Sequence, residues 1–315
     1  MSIYVIKPGL CTTVQDAGRY GYQHLGVPVN GPMDSLAHSV ANLLVGNLAA
    51  CNTLEVTLQG PTLRFDSRCL LAIGGADLGA RVDGVPLEPG RAVRVEAGTV
   101  LDFGRRLHGA RAYIAVHGGY RLPAVLGSTS TARGGGFGGV EGRMLQVGDR
   151  LPVASSFRNA RAMAIPRSLQ PERAERPLRI IAGREWGFFS EAAQQLLVSE
   201  EYRIGNDSER MGYRLQGTAL QLRQPLELLS EAVPFGAIQV PPSGQPIVLM
   251  ADRQTTGGYP KIAHVASADL PLLAQRLPGE AVRFRMVGLA EAQELAIERA
   301  RLIAQLEKDY VFNSP

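Results

Sequence analysis

Between Ile238 and Tyr259 the sequence IQVPPSGQPIVLMADRQTTGGY threads polar side chains through apolar strand formers: Gln239, Ser243, Gln245, Asp252, Gln254, Thr255 and Thr256. Amides and hydroxyls in such a setting orient a small amide, urea or lactam by hydrogen bonding. Gly257-Gly258 supplies a turn that permits close approach. The same side chains would equally satisfy one another in a turn network, and the residues alone leave both readings open.

A second polar group comprises Asp16, Arg19, His24 and Asp34, close in sequence around the segment Gly21–Gly46. Carboxylate–arginine pairs bind polar ligands or lock loops. His24 and His38 read as ordinary histidines, since no further ligand stands at metal-binding spacing. The run Gly134-Gly135-Gly136-Phe137-Gly138-Gly139 formally contains G-x-G-x-x-G, but no helical pattern follows it. A dinucleotide site needs that helix, so a flexible loop is the expectation. The chain contains no G-x-x-x-x-G-K-[ST] phosphate loop, and neither a nucleophile elbow nor a Ser/His/Asp order is visible. Self-sufficient hydrolysis is therefore not expected.

The elements that must position these residues are mostly short strands. Ile3–Ile6, Leu54–Leu58, Cys69–Ile73, Ala92–Val95, Val100–Phe103 and Ala112–Val116 are β-branched or apolar, with turn signals at Asp83-Gly84 and Ala97-Gly98. A second set is expected at Leu178–Ile181, Ala219–Leu222, Ile238–Val240, Ile247–Met250 and Val282–Met286. One helix interrupts the first set between Met33 and Val45, where Leu36, Val40, Leu43 and Leu44 share a face, Asp34 stands near the start and Gly46 just past the end. Its apolar face should cover a sheet or barrel. Ser267 is placed to cap a short helix reaching about Arg276, and Leu295, Leu302, Ile303 and Leu306 mark a final amphipathic helix over Leu289–Lys308.

Self-comparison adds an organisational clue. Residues 16–22 (DAGRYGY) and 207–213 (DSERMGY) share D-x-x-R-x-G-Y; GPTLRF at 60–65 resembles GTALQL at 217–222, and GTVLDF at 98–103 resembles GEAVRF at 279–284. Three matches in the same order point to two related β-domains. The resulting division is an N-terminal domain over 1–155, a linker or arm over 156–177, a second domain over 178–288, and a helix and tail over 289–315.

Composition removes several function classes. The chain has 315 residues, a net charge of +4 and 6% aromatic residues, and its basic excess is diffuse apart from a short middle segment. A nucleic-acid binder would show a concentrated basic stripe with aromatic platforms, so none is expected as partner. MSIYVIKPGL is not a secretion leader and no apolar run reaches membrane-spanning length, so a cytoplasmic protein is expected. Cys11, Cys51 and Cys69 lack metal-type spacing and read as reduced, small buried hydrophobes.

Together, VQDAGRYG from Val14, GPMDSLA from Gly31, ANLLVGN from Ala41, LEVTLQGP from Leu54, SERMGYRL from Ser208 and GQPIVLMADRQTTGGY from Gly244 resemble one family. It is the biotin-dependent carboxyltransferase-like, or allophanate-hydrolase-subunit-2-like, family. Members include one component of bacterial ATP-dependent 5-oxoprolinases, the carboxyltransferase module of urea carboxylase and the KipA-type regulators. The resemblance implies a mainly β fold of two tandem cyclophilin-like β-barrel domains, with a few short helices and a C-terminal helix.

It also implies a B-type, allophanate-hydrolase-subunit-1-like partner and, in a 5-oxoprolinase, an A subunit. In that reaction ATP activates the lactam oxygen of 5-oxo-L-proline and water opens the ring to L-glutamate. The site implied is a cleft lined by Gln239, Asp252, Gln254, Thr256 and Tyr259, facing the partner. Asp252, Gln254 and Tyr259 are the catalytic candidates, with Asp252 acting as a base or orienting an amide. Arg19 or Arg210 would hold a substrate carboxylate or phosphate, with Gln239 and Thr256 also binding substrate. Two other readings stay open: a carboxyltransferase component acting on urea with a separate biotin carrier, and a KipA-like protein that antagonises a kinase inhibitor. Only Lys7, Lys261 and Lys308 are lysines, in Ile-Lys-Pro, Pro-Lys-Ile and Glu-Lys-Asp contexts, against 30 arginines. None stands in the Met-Lys-Met setting usual for biotin, so no covalent biotin is expected here and ATP is expected to be used by the complex.

Overall fold

The computed structural model describes residues 1–154 and 176–312. Most of the linker expected over 156–177 lies outside the described residues. Two compact units are present: Met1–Arg19, Asn30–Arg173 and Arg301–Pro315 form the first, and Tyr20–Val29 with Ala174–Ala300 the second. The chain is mainly β in both.

In the first unit one six-stranded sheet runs in the order Arg150–Pro152, Ser2–Lys7, Thr62–Phe65, Val100–Phe103, Ala80–Val82, Val85–Pro86. A five-stranded sheet runs Cys11–Gln15, Thr53–Thr57, His108–Val116, Cys69–Asp77, Ala92–Val95. Ile3, Val5, Leu54, Val56, Leu63, Phe65, Leu71, Ile73, Leu101 and Ile114 make the core of this unit. Each such side chain contributes about 1.5–3 kcal/mol by leaving water. The strand Cys69–Asp77 is buried along nearly its whole length because its other face carries the helix Ser35–Leu44. Asp34 caps that helix by accepting from the Ala37 N–H at 2.9 Å, and Gly46 follows its end at φ 74°. A Cβ added at Gly74 would lie 2.4 Å from the Ala37 carbonyl oxygen, so a glycine is what lets the helix sit directly on the strand.

The second unit is built on an eight-stranded sheet ordered Ala281–Val282, Tyr202–Ile204, Gly212–Gln216, Ile247–Leu249, Ala237–Gln239, Lys261–Val265, Leu178–Ala182, Phe284–Met286. Its two edge strands are consecutive in the chain, separated by Arg283 alone, so the sheet curls into a nearly closed barrel. The expected strand Val282–Met286 is therefore split in two. Buried Ile180, Tyr202, Tyr213, Leu215, Ile238, Val248, Ile262 and Phe284 come from strands around this sheet. The helix Leu289–Glu307 follows; Ala292 packs with Ala266 and Val287, whereas Leu302 is exposed rather than seated in an apolar stripe.

Four other local expectations change. Asp83-Gly84 does close a hairpin, at φ 48° and 81°, but Ala97-Gly98 joins strands that belong to different sheets. Ala219–Leu222 forms no strand, because Leu220 N–H and Gln221 C=O bond to separate segments, at Gly244 and Ser190. The short helix spans Leu270–Ala274 with Asp269, not Ser267, at its N-cap, and the Asp269 side chain makes no capping bond because it accepts from Arg176 and Arg179. The glycine run is wound rather than loose: Gly135 and Gly136 N–H groups bond the Ala132 carbonyl and Gly139 N–H bonds that of Thr129. Of the cysteines, Cys69 alone is buried, its thiol pushed up to about 12 by burial.

Candidate functional site

On the second unit, three adjacent strands place Arg214, Ile247 and Gln239 directly opposite one another: Arg214 pairs with Ile247, and Ile247 with Gln239. All three line a cavity of about 210 Å³ together with Asp207, Glu209, Met211, Gly212, Leu249, Gln254 and Tyr259. Ile247 and Leu249 give it an apolar surface. Gly212 keeps that surface clear, since a Cβ there would meet Ile247 Cγ2 at 3.0 Å.

The Gln239 side chain is buried and its Nε2 donates to the Tyr259 carbonyl at 3.3 Å. A Cβ on Gly257 would lie 2.8 Å from that Nε2 and 3.3 Å from Gln254 Nε2, so two amide nitrogens converge beside this glycine. Two side-chain amides gathered in one region suit a carbonyl oxygen, and more so an oxygen gaining negative charge. Tyr259 is half exposed at the rim.

Arg210 and Asp252 sit beside this cavity as a mutually satisfied pair. Arg210 Nε donates to Asp252 Oδ2 and Nη2 to Oδ1, both at 2.8 Å, and the Asp252 N–H donates to the Arg210 carbonyl at 2.8 Å. Their side chains are 6% and 12% exposed. A fork of this kind is strong and planar. It ties the loop that carries Gln254 to the loop that carries Met211. The Thr256 side chain is exposed, and its backbone pairs with Ala232.

Arg19 lies in the first unit and is 1% exposed. Its Nε donates to the Val125 carbonyl at 2.8 Å, Nη1 to Asn30 Oδ1 at 3.2 Å, and Nη2 to the Ser130 carbonyl at 2.9 Å, with the Phe137 ring 4.8 Å from its guanidinium carbon. Such an arginine braces a loop and has no face turned to solvent. Next to it Asp16 accepts from Ser128 Oγ, Ser130 Oγ and the Thr129 and Gly18 N–H groups. Burial raises the Asp16 pKa, but these bonds outweigh it and hold the carboxyl below the ordinary range. His38 is buried against Thr53 Oγ1 at 2.9 Å, and burial lowers it to about 4, which makes it a neutral core histidine.

Residues 25–286 match the family described as carboxyltransferase domain, subdomain A and B. The chain belongs to that carboxyltransferase domain family. Its relatives include the 5-oxoprolinase C subunit of Escherichia coli, 41% identical over 96% of each chain, and that of Haemophilus influenzae, 40% identical over 94% of each. The crystal structure of the K. lactis urea amidolyase matches with a TM-score of 0.91 at 29% identity, covering 97% of this chain and 20% of that one. As a member of the carboxyltransferase domain family, the chain thus shares its fold with one segment of a far longer enzyme. Among the described residues no helix is long and apolar enough to cross a membrane.

Of the residues singled out from the sequence, Gln239, Gln254 and Tyr259 line the cavity, Arg210 and Asp252 brace it, and Thr256 and Arg19 do neither. Sequence reasoning missed Asp207, Gly212 and Arg214. Two of these lie inside the repeated D-x-x-R-x-G-Y motif and the third follows it, so the motif was the signal available.

Proposed function

We propose that this chain is the C subunit of an ATP-dependent 5-oxoprolinase, acting with a B-type partner and an A subunit to convert 5-oxo-L-proline to L-glutamate. The observation that carries this reading is the pair of amide nitrogens of Gln239 and Gln254 beside Gly257, in a cavity of about 210 Å³ sized for a small ring. The similarity to the two bacterial 5-oxoprolinase C subunits, which spans nearly the full length of both chains, supports it.

In this reading Gln239 and Gln254 donate to the lactam oxygen and polarise the carbonyl. They stabilise the negative charge that gathers there as water attacks. Arg210 and Asp252 hold the Gln254 loop in register. Of the two roles open to Asp252, orientation fits its bonds to Arg210 better than proton abstraction does. Tyr259 covers the mouth of the cavity.

ATP supplies the free energy for ring opening, but the cavity does not fit it. Asp207 and Glu209 would repel a triphosphate, and in the 134–139 turn the Gly135, Gly136, Phe137 and Gly139 N–H groups are bonded to the Ala132 and Thr129 carbonyls. No step on this chain is therefore routed through nucleotide, which we place on a partner subunit. Covalent biotin is equally ill suited to Lys261, whose Nζ is buried between Glu185 at 3.5 Å and Glu231 at 2.5 Å. The test is co-expression with the B-type and A subunits and assay of ATP hydrolysis dependent on 5-oxo-L-proline, with urea as control. ADP release with the lactam alone is expected. Turnover with urea and a biotin carrier, or with neither substrate, would defeat the reading.

A further inference from the structure

Arg214 is the cationic side chain of the cavity that faces open space rather than a buried partner. Its Nε meets Asp207 Oδ2 at 3.1 Å, and the two side chains are 57% and 64% exposed. An exposed pair of this kind contributes little and rearranges freely, whereas breaking a buried fork such as Arg210 with Asp252 leaves an uncompensated buried charge. That contrast decides which arginine can serve a ligand. Arg210 is committed to Asp252; Arg214 spends its Nε on Asp207 and projects from a strand whose alternation puts it on the cavity side. Across the sheet it stands two strands from Gln239, about 10 Å between backbones, with Ile247 between them.

We propose that Arg214 and Asp207 together read the carbon next to the amide nitrogen of the substrate, restricting the site to small cyclic amides that carry a carboxylate there. This rests on the function proposed above and names its specificity. The Arg214 guanidinium receives the carboxylate. Asp207 accepts from the ring N–H, which is bonded to the same carbon, while the carbonyl oxygen reaches Gln239 and Gln254 at the far side of Ile247. The placement also accounts for two acids beside one arginine. When water adds its oxygen to the carbonyl carbon and the C–N bond breaks, that carbon leaves as a carboxylate and both water protons end on the nitrogen, which becomes an ammonium. Asp207, with Glu209 at the rim, then faces a cation, and Arg214 still holds the original carboxylate. The mixed charge of the cavity matches the two ends of an α-amino acid.

The experiment uses the complex of this chain with its B-type and A subunits. Equilibrium binding of 5-oxo-L-proline, 2-pyrrolidinone, L-glutamate and urea is measured by calorimetry, separately from turnover. Arg214→Met should weaken 5-oxo-L-proline at least about tenfold, the loss of a charge-assisted bidentate contact, and leave 2-pyrrolidinone and urea unchanged. Arg214→Lys should recover part of the loss. Asp207→Asn should weaken L-glutamate more than 5-oxo-L-proline. Equal affinity of Arg214→Met and the parent for 5-oxo-L-proline would overturn the assignment, as would a parallel loss for 2-pyrrolidinone, which is what a merely structural role produces. A parent complex that binds 5-oxo-L-proline through Arg214 yet hydrolyses no ATP with it would sink the proposed activity and leave the clamp standing. A parent that binds none of the four ligands would sink both.

Discussion

The two copies of D-x-x-R-x-G-Y share Asp, Arg, Gly and Tyr and bury their arginines alike, but they differ in where the aspartate goes. In the first, Asp16 and Arg19 are turned inward, and their polar atoms are spent on the loop 125–130 and Asn30. In the second, Asp207 is exposed and bonded to Arg214, while Arg210 reaches Asp252 beside a cavity. The first copy holds a loop down; the second leaves charge available at a surface. The motif repeats in sequence but not in backbone, since Gly21 sits in a loop at φ 92° while Gly212 opens the strand Gly212–Gln216, and what fills the space opposite decides whether each copy stabilises or binds. The winding of Gly138 against Arg19 illustrates the point: a Cβ there would lie 2.1 Å from the Ser130 carbonyl and 3.0 Å from Arg19 Nη2. Among the described residues no comparable segment closes over Asp207, which keeps its side chain 64% exposed.

The sharpest way to break this contrast is to delete the arginine in each copy. Arg19→Ala strands three carbonyls and Asn30 without donors and should lower the stability of the chain by about 5 kcal/mol, read as a shift in the urea midpoint. Activity should fall only as far as the folded fraction does. Arg210→Ala leaves Asp252, whose side chain is 12% exposed, without its fork and should cost about 4 kcal/mol. Replacing both, as Arg210→Met with Asp252→Leu, should restore most of that stability and none of the turnover. If the pair were only structural, the double variant would recover both.

A third prediction concerns acid. His38 is held at about 4 against 6.5 in a free chain. Below about pH 6.5 the unfolded chain takes up a proton that the folded chain refuses, so stability present above that pH is lost as pH falls towards 4, by about 3 kcal/mol. Asp16, also lowered, extends the loss below 4. His38→Gln should flatten the dependence between pH 6.5 and 4 in urea titrations. Smallest is Gln254→Ala, which touches an exposed side chain. It should leave the urea midpoint unmoved and raise the barrier to turnover by about 2 kcal/mol, a thirtyfold loss in kcat at saturating substrate.

What the sequence disclosed follows the range of the interactions concerned. The helix Ser35–Leu44 was legible because its cap, its apolar spacing and its terminal glycine all act within a few residues. That Gln239, Gln254 and Tyr259 gather at one cavity was foreshadowed by polar residues punctuating an otherwise apolar stretch. Arg214 was not, because its place beside the cavity depends on a register that joins it to Ile247 and then to Gln239, and no local pattern encodes that pairing. Arg19 was misjudged for a related reason. Its acceptors are backbone carbonyls at Val125, Ser128 and Ser130, which carry no residue signature. Ala219–Leu222 looks like a strand by composition, but its backbone partners lie on separate segments.

The order in which residues contribute to each unit has a bearing on synthesis. Residues 1–19 share a unit with residues 301–315, and residues 20–29 share one with residues 174–300. In the second unit the strand Leu178–Ala182 acquires its parallel neighbour only at Phe284–Met286. A nascent chain leaving the ribosome can pair the strands of its first unit within residues 2–153, but must hold the barrel strands from Leu178 onward unfinished until Phe284–Met286 has emerged. Pairings of such long separation are slow to close and expose unpaired strand edges meanwhile. Expression at reduced temperature, or with a chaperone that shields such edges, is expected to raise the yield of folded chain more than any change to its surface.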